Sequence, residues 1–328
     1  MSIESPADLQ QEALAAEGRP VESGVEIAAR SPLQLFWRRF REDRLALAAL
    51  GFLALLALVA ALAPVIVNLL GLPEPNVQST EALDAFGTPT GPSLAHPFGV
   101  DGLGRDVFSR TLYGARVSLI VAVVATVLAS IAGIVTGLLA GYFRGWVDTF
   151  LAGVIDVFLA IPYLLLAIGL AAACVGGCFD GAVQPGLLVV IFVISFTSWT
   201  FIARIVRGQT LSIREKEFIE ASQALGASRR RTIFREVLPN LVAPIIVYAT
   251  ILVPQVILYE AALSFLGVGV QPPTASWGQM IAEATEVFDT AWWYMFFPGI
   301  ALLLTVLAFN LVGDALQDAL HPRTKRKA

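Results

Sequence analysis

The stretch EFIEASQALGASRRRTIFREVLPN, Glu217–Asn240, stands between two oily runs and does not share their character. It carries three consecutive arginines, Arg229, Arg230 and Arg231, a fourth at Arg235, and the acids Glu217, Glu220 and Glu236. Glu215 to Leu225 contains strong helix formers and is broken at Gly226. A second helical run, Ser228 to Val237, is expected to end at Leu238-Pro239, because proline lacks a backbone N–H and biases its predecessor away from helix. The pattern predicts helix, glycine turn, helix, lying at a membrane face. Glu220, Gln223, Ala224 and Ala227 share one side by i, i+3, i+4 spacing. The small residues Ala221, Ala224 and Gly226 let another protein's surface approach closely.

Outward from this elbow the chain is built for lipid. Of its 328 residues 56% are hydrophobic and 15% charged, against roughly a quarter charged in soluble proteins. About 20 apolar residues are needed to cross a bilayer, and six runs qualify: about 45–70, 117–141, 150–173, 187–203, 241–265 and 292–312. The expected fold is an all-α integral membrane protein with six transmembrane helices. Seventeen lysines and arginines fall on one side of these spans: Arg38 to Arg44, Arg144, Arg204 to Arg235 and Arg323 to Lys327. Only Arg105, Arg110 and Arg116 fall on the other. The positive-inside rule then puts both termini and the elbow in the cytoplasm. Residues 1–31, polar and acidic without a basic start, read as a disordered cytoplasmic tail rather than a secretory signal. Residues 32–324 form the expected transmembrane domain, and 325–328 a basic cytoplasmic end.

Inside the spans, Ala125, Ala129, Gly133, Gly137 and Gly141 recur every fourth residue, a stripe suited to close helix packing in lipid. Pro244 and Pro254 are placed to kink the fifth span. Asp156, about two turns into the third span, and Glu260, near the outer end of the fifth, are the two candidate substrate-pathway acids. For Asp156 the plainer expectation is a carboxylate turned into the bundle and bonded to a neighbouring helix or partner. For Glu260 it is an acid solvated at headgroup level. In the first outer loop Asp101 with Arg105 and Asp106 with Arg110 are spaced for i, i+4 pairs on a short helix. That loop is either a cap on the bundle or a contact for a delivering protein. Cys174 and Cys178 stand where an oxidising exterior permits a disulfide, although four residues apart on a continuing helix they would meet poorly. His96 and His321 are too far apart for a metal cluster, and none is expected. A net charge of −4 gives no reason to expect nucleic acid.

Four blocks carry a resemblance. "EAS-QAL-G" followed by "EVLP" is similar to the EAA loop of ABC-importer permeases: Glu220, Ala221, Gly226, Leu238 and Pro239 fall on its pattern, while Ser222 and Glu236 depart from it. "HPFGVDGLGRDVFSRTLYGARVSL", "ARIVRGQTLSIREKEFIEASQALGAS", "LYEAALSFLGVGVQPPTASWGQMI" and "NLVGDALQDALHPR" resemble the C-type permease subunit of dipeptide/oligopeptide importers, over about residues 32–324. The resemblance implies a bacterial inner-membrane protein whose loop, through Glu220, Ala221, Ala224, Gly226, Ala227, Leu238 and Pro239, is a coupling helix docked on an ATPase. It further implies a second homologous permease subunit, two cytoplasmic ATPase subunits and an extracytoplasmic substrate-binding protein. Members carry dipeptides, longer peptides, nickel chelates, glutathione and some sugars.

The energy source follows from what the chain lacks. A phosphate-binding loop needs lysine followed by serine or threonine, whereas Lys216, Lys325 and Lys327 precede Glu217, Arg326 and Ala328. The chain is therefore expected to be a non-catalytic subunit without a cofactor of its own, with ATP and magnesium on the partner ATPases. A gradient-driven carrier is the rival expectation. It is disfavoured because the spans hold few ionisable residues with which to carry a proton or sodium.

Overall fold

In hydrocarbon every backbone N–H and C=O must find a partner within the protein, so the long apolar runs close into helices. The computed structural model describes residues 37, 38, 40–174, 178 and 186–320. The expected tail 1–31, the basic end 325–328 and His321 lie outside them. In chain order the helices are α1 (Arg44–Ala61), α2 (Ala63–Leu69), α3 (Val107–Phe143), α4 (Trp146–Ala160), α5 (Tyr163–Ala173), α6 (Leu187–Arg214), α7 (Glu217–Ala224), α8 (Arg229–Phe265), α9 (Trp277–Ala284) and α10 (Trp292–Leu320). Among the described residues there is no β-sheet; isolated bridges join Leu83 to Pro89 and Val100 to Asp106. Helices α1, α3, α6, α8 and α10 are each long and apolar enough to cross a membrane, and α4 with α5 makes a sixth span if the bent pair counts as one.

Three boundaries differ from expectation. The third span is not straight: α4 and α5 meet at 90°, because Pro162 holds Ile161 extended at φ −83, ψ 129. Helix α6 runs on past Ala203 to Arg214, so Arg204 and Arg207 belong to the helix. Their charges are met across the bundle, by Asp156 and Asp148 of α4. Nor does the second elbow helix stop at Leu238-Pro239. Thr232–Val237 widens into a π turn and Leu238 stays helical at φ −58, ψ −43. The widened turn accommodates the proline without ending the helix, so the elbow runs directly into the span. Pro244 and Pro254 both lie inside that same helix.

The centre of the bundle is the pair α3 and α6, which run parallel because the third span intervenes. Ala125, Ala129, Gly133, Gly137 and Gly141 are all buried on α3. A Cβ on Gly133 would stand 2.7 Å from the Trp199 carbonyl oxygen; on Gly137, 2.6 Å from that of Ala203; on Gly141, 2.6 Å from the Thr210 Cβ. No side chain fits, and backbones in contact take the place of interdigitated side chains. Helix α8 packs against α3, α6 and α10, burying Leu241, Leu252, Val256, Ile257 and Leu263. Helix α1 lies outside, with Ala46 and Ala49 in one cluster with Ala308, Val312 and Ala315 of α10.

Candidate functional site

The elbow is anchored from within. Ile219 of α7 is wholly buried in the main core, in one cluster with Ile213, Ile233 and Val237. Gly226 then ends the helix in the left-handed region at φ +83. Its N–H donates to the Gln223 carbonyl at 2.9 Å, and the Ala227 N–H donates to that of Ser222 at 3.1 Å. These two bonds satisfy carbonyls the helix end would leave open. Ser228 caps the next turn, its Oγ accepting from the Arg231 N–H.

What remains faces outward. Glu220, Ala221, Ala224 and Gly226 are exposed, and Leu225 is 90% exposed. Ala227, expected on the same helical side, instead lies beyond the turn and is half-buried, because the helix closes at Ala224. Leu238 is half-buried and Pro239 exposed, both in α8. Beside α7 a cavity of about 470 Å³ is lined by Ser228, Arg230, Arg231, Phe234 and Arg235. An exposed apolar knob with charged surroundings, on a rigid foot shared by α6 and α8, is suited to being gripped by another protein.

The other end of the bundle is locked by buried charge. Asp101, Asp106 and Arg110 are fully buried and Arg105 nearly so. Arg105 donates through Nε to Asp101 at 2.6 Å and through a terminal nitrogen to Glu283 of α9 at 2.7 Å. Arg110 donates to the same Glu283 oxygen at 3.2 Å, and Tyr294 of α10 also donates to it. Burial raises the Glu283 pKa, but the Tyr294 hydroxyl and the Arg110 and Arg105 guanidiniums outweigh it and hold the carboxyl below its ordinary value. The expected short helix is absent: Gly104 turns the chain at φ +71, where a Cβ would lie 2.0 Å from the Ser79 carbonyl oxygen. The expected Asp106–Arg110 pair is absent too. Asp106 caps α3 through the Ser109 N–H at 2.7 Å and meets His96 Nδ1 at 2.9 Å. Sequence reasoning missed Glu283 and Tyr294, which lie far along the chain from their partners and match no local spacing.

The two candidate pathway acids part company. Glu260 is not solvated. It is wholly buried and accepts from Ser276 at 2.8 Å, Ser264 at 2.9 Å and Ser118 at 3.2 Å, pinning α8, α3 and the start of α9 together. Asp156 does not turn inward. It pairs with Arg204 of α6 on the outside of this chain, because its face of α4 lies away from buried Ile155. Cys174 caps α5 and is bridged to Cys178, with Cα atoms 4.9 Å apart. The helix stops at Ala173, so the poor geometry of a continuing helix does not arise. Among the described residues no group of three or more His, Cys, Asp or Glu is disposed to hold a metal ion.

Comparison with known proteins agrees with this architecture. Residues 133–326 match the family model "Binding-protein-dependent transport system inner membrane component", and residues 31–80 match "N-terminal TM domain of oligopeptide transport permease C". The chain is 43% identical over 296 residues to the glutathione transport system permease protein GsiD of Salmonella typhimurium (strain LT2), covering 90% of this chain and 92% of that one. It is 40% identical over 291 residues to the dipeptide transport system permease protein DppC of Bacillus subtilis (strain 168), covering 88% and 85%. Among solved structures it resembles an inward-facing form of the MetNI methionine ABC transporter, with TM-score 0.55 and 21% identity over 65% of this chain and 97% of that one.

Proposed function

Because the chain belongs to the family of binding-protein-dependent transport system inner membrane components, and is a permease subunit of an ABC importer, we propose that it forms half of a membrane pathway for short peptides. The names of its relatives support that class: one serves glutathione, itself a tripeptide, and one dipeptides. A second homologous permease completes the pore, two ATPase subunits hydrolyse ATP on the cytoplasmic side, and an extracytoplasmic binding protein delivers the solute. The basic ends of α1, α3, α6 and α8 gather at the elbow end, which the positive-inside rule assigns to the cytoplasm of a bacterial inner membrane.

The observation that carries the mechanism is the elbow. Glu220 to Gly226 is presented outward while Ile219 roots it in the core and α8 continues from it without a break. ATP binding closes the ATPase pair, the gripped elbow moves with it, and α6 and α8 pass the displacement into the spans. A coupling free energy of about 1–3 kcal/mol between motor and pore shifts their populations several-fold or more. The test is co-purification. Gly226→Trp places a bulky group on the docking face, at a backbone angle costing about 1–2 kcal/mol for any L-residue. It is expected to lose the ATPase subunits while the chain still inserts. Wild-type recovery of ATPase subunits with this variant would refute the docking role, and uptake into vesicles by the chain alone would refute the ATP-driven reading.

A further inference from the structure

Rungs of opposite charge join the α4 side to α6, climbing from the elbow end into the spans. Arg144 pairs with Glu215 at the mouth, Asp148 with Arg207 at 2.6 Å, and Asp156 with Arg204 deepest. Asp156 of the deepest rung falls within the apolar run 150–173 read above as the third span, and Arg204 stands one residue past the run 187–203 read as the fourth. Arg204 follows Ala203, whose carbonyl faces Gly137, six residues or about 9 Å short of the end of α3. Around that level Val135, Leu139, Val157 and Phe201 are exposed and apolar. Yet the Asp156 and Arg204 side chains are 66% and 57% exposed in this chain.

Ionised groups inside a membrane face a bundle interior or a water-filled cavity, because facing lipid costs several kcal/mol. The strip around this pair is open and small: Thr149, Gly153 and Ala160 share the Asp156 face of α4, and Gly208 and Ser212 follow Arg204 on α6. A Cβ on Gly153 or Gly208 would meet nothing within 4 Å, so neither glycine serves packing within this chain. The bulky apolar residues of α4, Trp146, Phe150 and Val157, are exposed on the adjoining face, and Gly153 stands at the border, three residues from Phe150 and Asp156 and four from Val157. Polar, open and continuous with the elbow-end mouth, the strip has the character of a wetted wall.

We propose that the α4/α6 strip is a water-filled wall of the solute pathway, and that Asp156–Arg204 is a station on it for solutes bearing both charges, such as peptides with free termini. The pair offers a carboxylate to an ammonium and a guanidinium to a carboxylate, and it closes on itself when no solute is present. This rests on the permease reading above.

The test uses the assembled transporter in inside-out vesicles and a membrane-impermeant maleimide. Gly153→Cys and Ser212→Cys are expected to label at least ten-fold faster than Phe150→Cys and Val157→Cys. During turnover with ATP outside and binding protein enclosed with saturating S-methylglutathione (which has no free thiol to consume the maleimide) or glycylglycine, whichever is taken up, labelling of Gly153→Cys is expected to slow at least three-fold. Labelling of Gly153→Cys as slow as that of Val157→Cys would mean that a partner helix covers the strip, and overturns the proposal. So does unslowed labelling while uptake of the same probe is measured. Slow labelling in a complex that still transports refutes only this proposal, whereas uptake that persists without ATPase subunits refutes the permease reading itself.

Discussion

Replacing Gly137 with alanine tests whether α3 and α6 are held by backbone contact. The added Cβ would lie 2.6 Å from the Ala203 carbonyl oxygen, 2.8 Å from Val206 Cβ and 3.0 Å from the Arg207 nitrogen. Two of these neighbours are main chain, so no side chain can swing away, and the helices must part by roughly 0.8 Å to restore ordinary contact. A gap of that size forfeits about a quarter to a half of the dispersion energy at each affected contact. Overpacking of this kind costs about 1–3 kcal/mol. Gly133→Ala, 2.7 Å from Ile202 Cβ and the Trp199 carbonyl oxygen, demands nearly the same separation. Once one alanine has parted the helices, the second therefore adds little. The double variant is expected to fall short of the sum of the singles by about 1 kcal/mol. Reversible detergent unfolding of the two singles and the double, followed by circular dichroism, measures this directly. Strict additivity, or a Gly137→Ala variant as stable as the parent, would refute a rigid backbone contact.

Other outcomes follow from the buried charges. Glu283→Gln leaves Arg105 and Arg110 short of a counter-charge and is expected to destabilise by about 3 kcal/mol. Tyr294→Phe, which removes one charged hydrogen bond, should cost about 1.5–3 kcal/mol. Thermal unfolding of both variants would rank them. The Glu283 carboxyl is held below its ordinary value, so its contribution is present above the unfolded-state pKa and is lost as pH falls through the lower folded value. Thermal stability should accordingly drop on acidification below about pH 4.5, with a flatter slope in Glu283→Gln. At Glu260, Gln preserves an acceptor for the serines, whereas Leu strands three buried hydroxyls. Glu260→Leu should be recovered from membranes in much smaller amounts than Glu260→Gln, and equal recovery would argue against the serine cage.

The sequence carried local information well and long-range information poorly. Long apolar runs mark their own positions, and the elbow announced itself because charges, a glycine and alanines cannot belong to a span. Hydropathy nevertheless stops reading α6 at Arg204, since the carboxylates that keep Arg204 and Arg207 on the helix come from α4. Spacing alone pairs Asp106 with Arg110, whereas His96 and a helix start compete for it. Glu283 reaches its arginines from more than 170 residues away, which no periodicity records. Pro162 lies inside the third apolar run, and the break it makes at Ile161 is a backbone effect that hydropathy does not record. Pro239 shows the converse, a breaker whose neighbourhood opened one wider turn and carried on.

The unbroken course of α8 has a geometric corollary. Its 37 residues extend about 55 Å at 1.5 Å each. Pivoted near the elbow, a straight rod of that length turned by only about 5° would sweep its far tip through nearly 5 Å, a little less than the roughly 5.4 Å rise of one helical turn. Near that tip sits Glu260, in its cluster of serines. On the docking reading proposed above, a small displacement of the elbow would arrive enlarged at the opposite end of this helix.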